Sequence, residues 1–203
     1  MLLMIVTGIV TSSYSVITTL TLANSLAQSR QGLTELPWTD FFDQELLLQQ
    51  YTEDLLVMHH AYMTPPTRGK APLFVTHHGA GSSGLSFAPL AVELLKVLPG
   101  AGILSLDARG HGKTVITPLE RVEGTIENRD YADLTLGTLG HDLEFVVNAM
   151  RERMKWEALP DIILVGHSLG GAVVTDLAKN GGLGSKILGY AVLDVVEGES
   201  IVQ

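Results

Sequence analysis

The chain has 203 residues, of which 46% are hydrophobic and 17% are charged, and this composition predicts a globular protein rather than a disordered one. Its formal net charge of -9 excludes a typical nucleic-acid-binding surface, because phosphate binding needs an excess of Lys and Arg. The absence of cysteine excludes disulfides, thiolate metal sites and a cysteine nucleophile. One α/β domain is therefore the expected organisation.

The first 31 residues differ in composition from the rest of the chain. No charged residue occurs from Met1 to Ala27, and many Ser and Thr dilute an apolar start. One interpretation of this segment is a signal segment or membrane anchor. Two features disfavour it: no Lys or Arg precedes the apolar run, and the Ser and Thr content is high for a spanning helix. We expect residues 1–31 to lie outside the fold, and we expect no membrane partner.

From Gly32 onward, short apolar runs alternate with helical patterns and small-residue turns. This rhythm predicts an α/β fold with a mostly parallel sheet and right-handed crossovers, so that helices lie on both faces. Functional residues in such sheets lie beyond the carboxyl ends of the strands. The expected strands are 55–62, 72–77, 102–106, 162–165 and 186–193, and the expected helices are 86–98, 136–155 and one that begins near residue 171.

Several histidines lie on or directly after these strands. His59 and His60 are adjacent on one strand and therefore point to opposite faces, which argues against ligation of one metal ion by both. His78, His111 and His167 are expected to be structural, hydrogen-bonded residues. The sequence thus predicts no metal site.

The segment Asp161–Asn180 carries the clearest chemical motif. A buried strand is predicted at 162–165, and the G-x-S-x-G elbow centred on Ser168 then turns into a helix. The sharp turn exposes the serine hydroxyl and leaves no room for side chains at Gly166 and Gly170. The N–H group of Leu169, at the helix N-terminus, is a candidate oxyanion donor. A chance serine in a glycine-rich turn is the alternative, which the flanking strand and helix disfavour.

The loop after the strand at 72–77 is the candidate second half of the oxyanion hole. Its sequence His78-Gly79-Ala80-Gly81 is rich in glycine, so backbone N–H groups are free to face the elbow. We expect the N–H group of Ala80 to be the second oxyanion donor, with Gly79 as a structural residue beside it.

Four segments together resemble the protein phosphatase methylesterase family, a family of α/β-hydrolases. The elbow is common to many hydrolases, whereas the run Asp-Val-Val-Glu-Gly is the most specific of the four. The segments are Pro37–Phe42, His78–Phe87, Gly166–Ala172 and Asp194–Gly198.

The resemblance implies a serine carboxylesterase. In this family the substrate is the methyl ester on the C-terminal leucine of the type 2A protein phosphatase catalytic subunit, and no cofactor takes part. The family residues correspond to Ser168 as nucleophile, Asp194 as triad acid, and Ala80 and Leu169 as oxyanion donors. The resemblance also implies a cytoplasmic and possible nuclear location.

One feature departs from the family. The catalytic base of an α/β-hydrolase follows the acid along the chain, whereas all seven histidines here precede Asp194. We therefore expect residues 32–203 to be the N-terminal portion of a hydrolase domain, without the last strands and the loop that carries the catalytic histidine. Three functions stay open: a methylesterase, an esterase or lipase of another substrate class, and a non-catalytic remnant or phosphatase-binding fragment.

Overall fold

The computed structural model describes residues 4–5, 37–67, 71–119 and 133–194. Eight strands form one sheet within these ranges, and three α-helices pack on it. The strands are β1 (Met4–Ile5), β2 (Gln44–Tyr51), β3 (Leu55–Thr64), β4 (Leu73–His77), β5 (Gly102–Asp107), β6 (Val115–Pro118), β7 (Ile162–His167) and β8 (Ile187–Leu193). The helices are α1 (Ala88–Val97), α2 (Leu136–Arg153) and α3 (Leu169–Asn180), and short 3-10 helices lie at Trp38–Asp40, Gly84–Phe87 and Gly184–Lys186.

The sheet has the strand order β1-β8-β7-β4-β5-β3-β2, and β6 pairs with part of β3. Strands β8, β7, β4 and β5 are parallel neighbours, which confirms the predicted parallel core. Strand β3 instead runs antiparallel to β5 and forms a hairpin with β2. Strands β1, β2 and β6 were not expected from the sequence.

The central strands are apolar because helices cover them on both sides. Every residue of β5 is buried. On one face, α2 and α3 contribute Leu143, Val147 and Val174 to the larger core cluster. On the other face, α1 contributes Ala91 to a smaller, aromatic cluster that includes Tyr62. The predicted placement of helices on both faces is confirmed.

Two helix starts differ from the sequence expectation. Helix α3 begins at Leu169, two residues earlier than expected, because Ser168 alone makes the turn out of β7. Helix α1 is preceded by the 3-10 turn at Gly84–Phe87, so the regular α-helix starts only at Ala88.

Part of the sequence prediction falls outside the described residues. Of the segment 1–31, the structure describes only Met4–Ile5, whose backbone pairs in parallel with β8. The run 195–198 after Asp194 also lies outside the described ranges. In the ranges that are described, no helix has the length and apolar character needed to cross a membrane.

Candidate active site

Ser168 lies at the junction of β7 and α3, at the carboxyl end of its strand. Its backbone has φ 50° and ψ -118°, a conformation that residues with a side chain rarely adopt. Its N–H group donates to the carbonyl of Leu193 (3.0 Å), and its own carbonyl accepts from Gly171 N–H (2.8 Å). The side chain is exposed, so the turn presents the hydroxyl to solvent as the motif predicts.

The two elbow glycines are required by close backbone contacts. A Cβ atom on Gly166 would overlap the carbonyl group of Gly170. A Cβ atom on Gly170 would overlap the carbonyl oxygen of His77 on the neighbouring strand β4. Helix α3 can therefore approach the sheet closely only because both positions lack a side chain.

The loop of residues 78–84, called here the oxyanion loop, lies beside the elbow. Strand pairing places His77 opposite Gly166, and a Cβ atom on Gly79 would lie 3.0 Å from the Cβ atom of Ser168. Ala80 is exposed at the tip of the loop. Among the described residues, its N–H group has no acceptor, and neither does that of Leu169. Both donors are thus available to a ligand oxygen, and their catalytic role stays a prediction.

Asp194 emerges from the sheet next to Ser168. The pairing of β7 with β8 places Leu193 opposite His167, so Ser168 and Asp194 are the first residues beyond two adjacent strand ends. Asp194 is exposed and also has a positive φ, 49°. Its assignment as the triad acid stays a prediction that this arrangement supports.

The histidines near the elbow are engaged in structural contacts. His78 donates from Nδ1 to the carbonyl of Gly79 (2.7 Å) and accepts at Nε2 from Ala108 N–H (2.9 Å), which confirms the expected structural role. Burial lowers the pKa of His78. Burial also lowers the pKa of His77 to about 4, and its Nε2 atom has no partner among the described residues. Both rings are therefore neutral at pH 7.

The far end of the oxyanion loop is fixed by side chains that the sequence analysis did not assign. Gly84 N–H donates to Oδ1 of Asp107 (2.6 Å), and the Ser105 hydroxyl donates to the Gly84 carbonyl (2.7 Å). A Cβ atom on Gly84 would lie 2.8 Å from the Ser105 carbonyl oxygen, so the loop touches the strand backbone. The available signal was the position of Asp107 at a predicted strand end.

A buried ion pair anchors the turn that follows β5. The guanidinium group of Arg109 donates from Nε and from one terminal nitrogen to the two carboxylate oxygens of Asp142 on α2, both at 2.7 Å. The two side chains are 6% and 2% exposed. This bidentate pair was also missed. Within the ranges that the structure describes, no group of three or more His, Asp or Glu side chains could hold a metal ion.

Comparison with known proteins agrees with this geometry. A family model described as the alpha/beta hydrolase family matches residues 73–201. The chain belongs to the alpha/beta hydrolase family. A solved structure of a probable hydrolytic enzyme from Pseudomonas aeruginosa PAO1 has a TM-score of 0.52 and 14% identity, and the alignment covers 75% of this chain and 42% of that structure's chain. That likeness supports the fold alone.

Curated relatives confirm the resemblance to the methylesterases. Protein phosphatase methylesterase 1 from Aspergillus oryzae is 60% identical over 166 residues, which cover 82% of this chain and 38% of the relative. The protein of the same name from Aspergillus fumigatus is 54% identical over 178 residues, covering 86% and 41%. The chain thus spans about two fifths of the length of the curated relatives it matches.

Proposed function

We propose that the chain carries the nucleophile and the oxyanion hole of a serine carboxylesterase of the protein phosphatase methylesterase type. The observation that carries this proposal is the strained, exposed Ser168, which lies beside both Asp194 and the oxyanion loop. Relatives at 54–60% identity that are named protein phosphatase methylesterase 1 support the substrate class. The proposed substrate is the methyl ester on the C-terminal leucine of the type 2A protein phosphatase catalytic subunit.

The proposed reaction is acyl transfer through a covalent intermediate. The Ser168 hydroxyl attacks the ester carbonyl while its proton passes to a general base, and the carbonyl oxygen becomes an oxyanion held by the N–H groups of Leu169 and Ala80. The bond to the methoxy group then breaks, and the base returns the proton so that methanol leaves. Water hydrolyses the acyl-enzyme by the reverse sequence. No cofactor is needed.

The general base is not one of the histidines that lie beside the elbow. His78 is unsuited because both of its ring nitrogens already have partners. We propose that the base is a histidine placed after Asp194 in the α/β-hydrolase order, with the Asp194 carboxylate orienting its ring; all seven histidines of the given sequence precede Asp194, so the extended chain described below supplies this residue. We further propose a cytoplasmic location, with the nucleus as a second site, because the resemblance to the methylesterase family implies both.

The test compares four proteins on one substrate. They are the chain as given, an extended chain joined to the C-terminal segment of a methylesterase relative, the extended Ser168→Ala variant and the extended Ser86→Ala variant. Ser86 is the matched control because it is an exposed serine outside the elbow. The substrate is a peptide that ends in leucine methyl ester, and methanol release is measured together with fluorophosphonate labelling.

We expect the extended chain and its Ser86→Ala variant to release methanol and to label, and the Ser168→Ala variant to do neither. The chain as given is expected to turn over at least a thousandfold more slowly than the extended chain, since loss of the base removes most triad catalysis. Equal turnover by the extended Ser168→Ala variant would exclude Ser168 as nucleophile. Labelling without peptide hydrolysis would support an esterase of another substrate class.

A further inference from the structure

His60 of β3 lies between the carboxylates of Asp107 and Glu45, and Asp107 in turn contacts the end of the oxyanion loop. The His60 side chain is 1% exposed. Its Nδ1 atom is 2.8 Å from Oδ2 of Asp107, and its Nε2 atom is 2.8 Å from Oε1 of Glu45. A neutral imidazole has one donor and one acceptor nitrogen, whereas an ionised carboxylate only accepts. Both contacts can be hydrogen bonds only if both ring nitrogens carry a proton.

Both carboxylates are ionised at neutral pH. Burial raises the pKa of Asp107, but hydrogen bonds from His60 and from the N–H groups of Lys113 and Gly84 outweigh it and hold the pKa below its usual value. The Lys113 ammonium group and then His60 lower the pKa of Glu45 by hydrogen bonding. Neither carboxyl group therefore supplies a proton to the shared contacts.

Asp107 connects this pair to the oxyanion loop. Its Oδ1 atom accepts from Gly84 N–H at the end of the loop, and its Oδ2 atom accepts from Lys113 N–H as well as from His60. Gly112 has φ 53°, and a Cβ atom there would overlap the Asp107 carboxylate, so the turn closes around it. His60 and the turn at Gly112 and Lys113 together therefore fix the orientation of the Asp107 carboxylate, which accepts from Gly84 N–H.

We propose that His60 is a positioning residue for the oxyanion loop, and that it acts as a doubly protonated bridge between Asp107 and Glu45. The catalytic meaning of the loop rests on the proposed function, but the bridge itself does not. The imidazolium charge offsets the buried charge of Asp107, and its Nδ1–H group keeps Oδ1 directed at Gly84 N–H. Loss of the bridge releases the loop that carries Ala80.

Two cations also lie near His60, and their charge opposes protonation of the ring, whereas the two carboxylates favour it. Lys113 forms an ion pair with Glu45 on the solvent side, and Arg153 from the end of α2 lines the same recess. The Tyr62 ring packs edge-on against the imidazole, with centroids 4.6 Å apart. The acidic groups Asp107 and Glu45 are the nearest to the ring, since both are in direct hydrogen-bond contact.

The adjacent His59 provides a matched control on the opposite face of β3. It is also fully buried, but the only described atom within hydrogen-bond distance of its Nε2 atom is uncharged, Oε1 of Gln50 at 2.6 Å. The nearest described carboxylate oxygen, Oδ1 of Asp142, is 3.8 Å from Nε2 and is already paired with Arg109, and Nδ1 has no partner among the described residues. Burial lowers the pKa of His59, so its ring is neutral. The two histidines differ chiefly in whether two carboxylates contact the ring.

The first experiment counts protons by long-range ¹H–¹⁵N correlation spectroscopy of the ¹⁵N-histidine-labelled chain at pH 7. We expect His60 to show two protonated nitrogens and His59 to show one protonated and one bare nitrogen. In Glu45→Gln the outer acceptor is uncharged, and the doubly protonated share of His60 should fall. A bare nitrogen on His60 in the unaltered chain, or no change in Glu45→Gln, would overturn the bridge.

The second experiment measures hydrogen exchange at the Gly84 amide. His60→Gln is expected to speed exchange at this amide on the order of tenfold relative to amides of β7, whereas His59→Gln should leave that ratio unchanged. If His60→Gln does not fold, the Glu45→Gln variant decides, because the Glu45 side chain is 30% exposed and its replacement disturbs the core less than that of His60, which is 1% exposed. An unchanged Gly84 ratio in the folded variant would exclude the positioning role. Neither readout requires ester turnover, so failure here is distinct from failure of the proposed function.

Discussion

Ser168 and Asp194 leave the sheet side by side with nearly the same backbone torsion, φ 50° and φ 49°. Ser168 follows His167 and Asp194 follows Leu193, and these two preceding residues are paired across β7 and β8. Ser168 N–H also donates to the Leu193 carbonyl. A positive φ costs on the order of 1–2 kcal/mol for a residue with a side chain. The two proposed triad members therefore occupy two neighbouring strained positions, directly after the carboxyl ends of the adjacent strands β7 and β8.

The strain at Ser168 predicts an unusual ranking of two substitutions. Ser168→Gly should be more stable than Ser168→Ala by about 1–2 kcal/mol, since glycine adopts the positive φ without a Cβ penalty. The measurement is urea unfolding of both variants. Ser86 lies in a 3-10 helix and has no positive φ. There, Ser86→Ala should be more stable than Ser86→Gly by about 0.5–1 kcal/mol. If alanine were the more stable substitution at Ser168 as well as at Ser86, the elbow would be unstrained.

The elbow glycines predict a steric effect. Gly170→Ala should lower the free energy of unfolding by about 3 kcal/mol or more, because the added methyl group would overlap the His77 carbonyl oxygen and push α3 off the sheet. Gly137→Ala on α2 is the control, since a Cβ atom there meets no atom within 4 Å. It should stabilise the protein by about 0.5–1 kcal/mol. Denaturant unfolding with equal losses at both positions would contradict the close contact.

The buried pair of Arg109 and Asp142 predicts non-additive losses. Arg109→Met should cost about 3–5 kcal/mol because it leaves the Asp142 carboxylate, 2% exposed, without its partner. The double variant Arg109→Met, Asp142→Leu should recover most of that loss in thermal and urea unfolding. The exposed pair of Lys96 and Glu93 is the control, and Lys96→Ala should change stability by less than about 1 kcal/mol. A double variant as unstable as the single one would contradict the account.

His77 predicts a loss of stability at mildly acidic pH. Its folded-state pKa of about 4 lies below the ordinary value of 6.5, so the unfolded chain binds more protons between these values. The free energy of unfolding should therefore fall as the pH falls from 6.5 towards 4, by on the order of 3 kcal/mol for this group. Burial lowers the pKa of His59 and His78 too, and both add to the slope.

The variant that isolates this effect is His77→Gln. Between pH 6.5 and 4.5, its unfolding free energy should depend less steeply on pH than that of the unaltered chain. The difference in slope should correspond to about one fewer proton taken up on unfolding. His141→Gln is the matched control because His141 is an exposed residue of α2. Urea titrations at four pH values give the slopes. Parallel curves for all three proteins would mean that His77 is protonated in the folded state.

The parallel core and the elbow could be predicted from sequence because their signals are local. A continuous apolar run followed by Gly-x-Ser-x-Gly specifies β7 and the start of α3 within twenty residues. Strand β2 was missed because Leu46, Leu47 and Leu48 are consecutive, and the alternation is visible only in burial: Leu47 is 57% exposed and its neighbours are buried.

The network around His60 could not be predicted because it depends on strand register. His60 and Asp107 are paired across β3 and β5, an antiparallel contact in a region where the sequence rhythm indicated parallel strands. Nothing local in the sequence specifies that pairing. The sequence argues only against a shared metal ion at His59 and His60, and the two carboxylate partners of His60 lie 15 and 47 positions away along the chain.

The position of β4 in the middle of the sheet has a consequence for synthesis on the ribosome. Its partner β7 lies roughly 90 residues further along the chain, and the helix α3 that covers it comes later still. At a translation rate of about 5–20 residues per second, β4 waits on the order of 5–20 s with one edge unpaired. During that interval the nascent chain presents a short apolar strand edge, which is the kind of segment that chaperones bind.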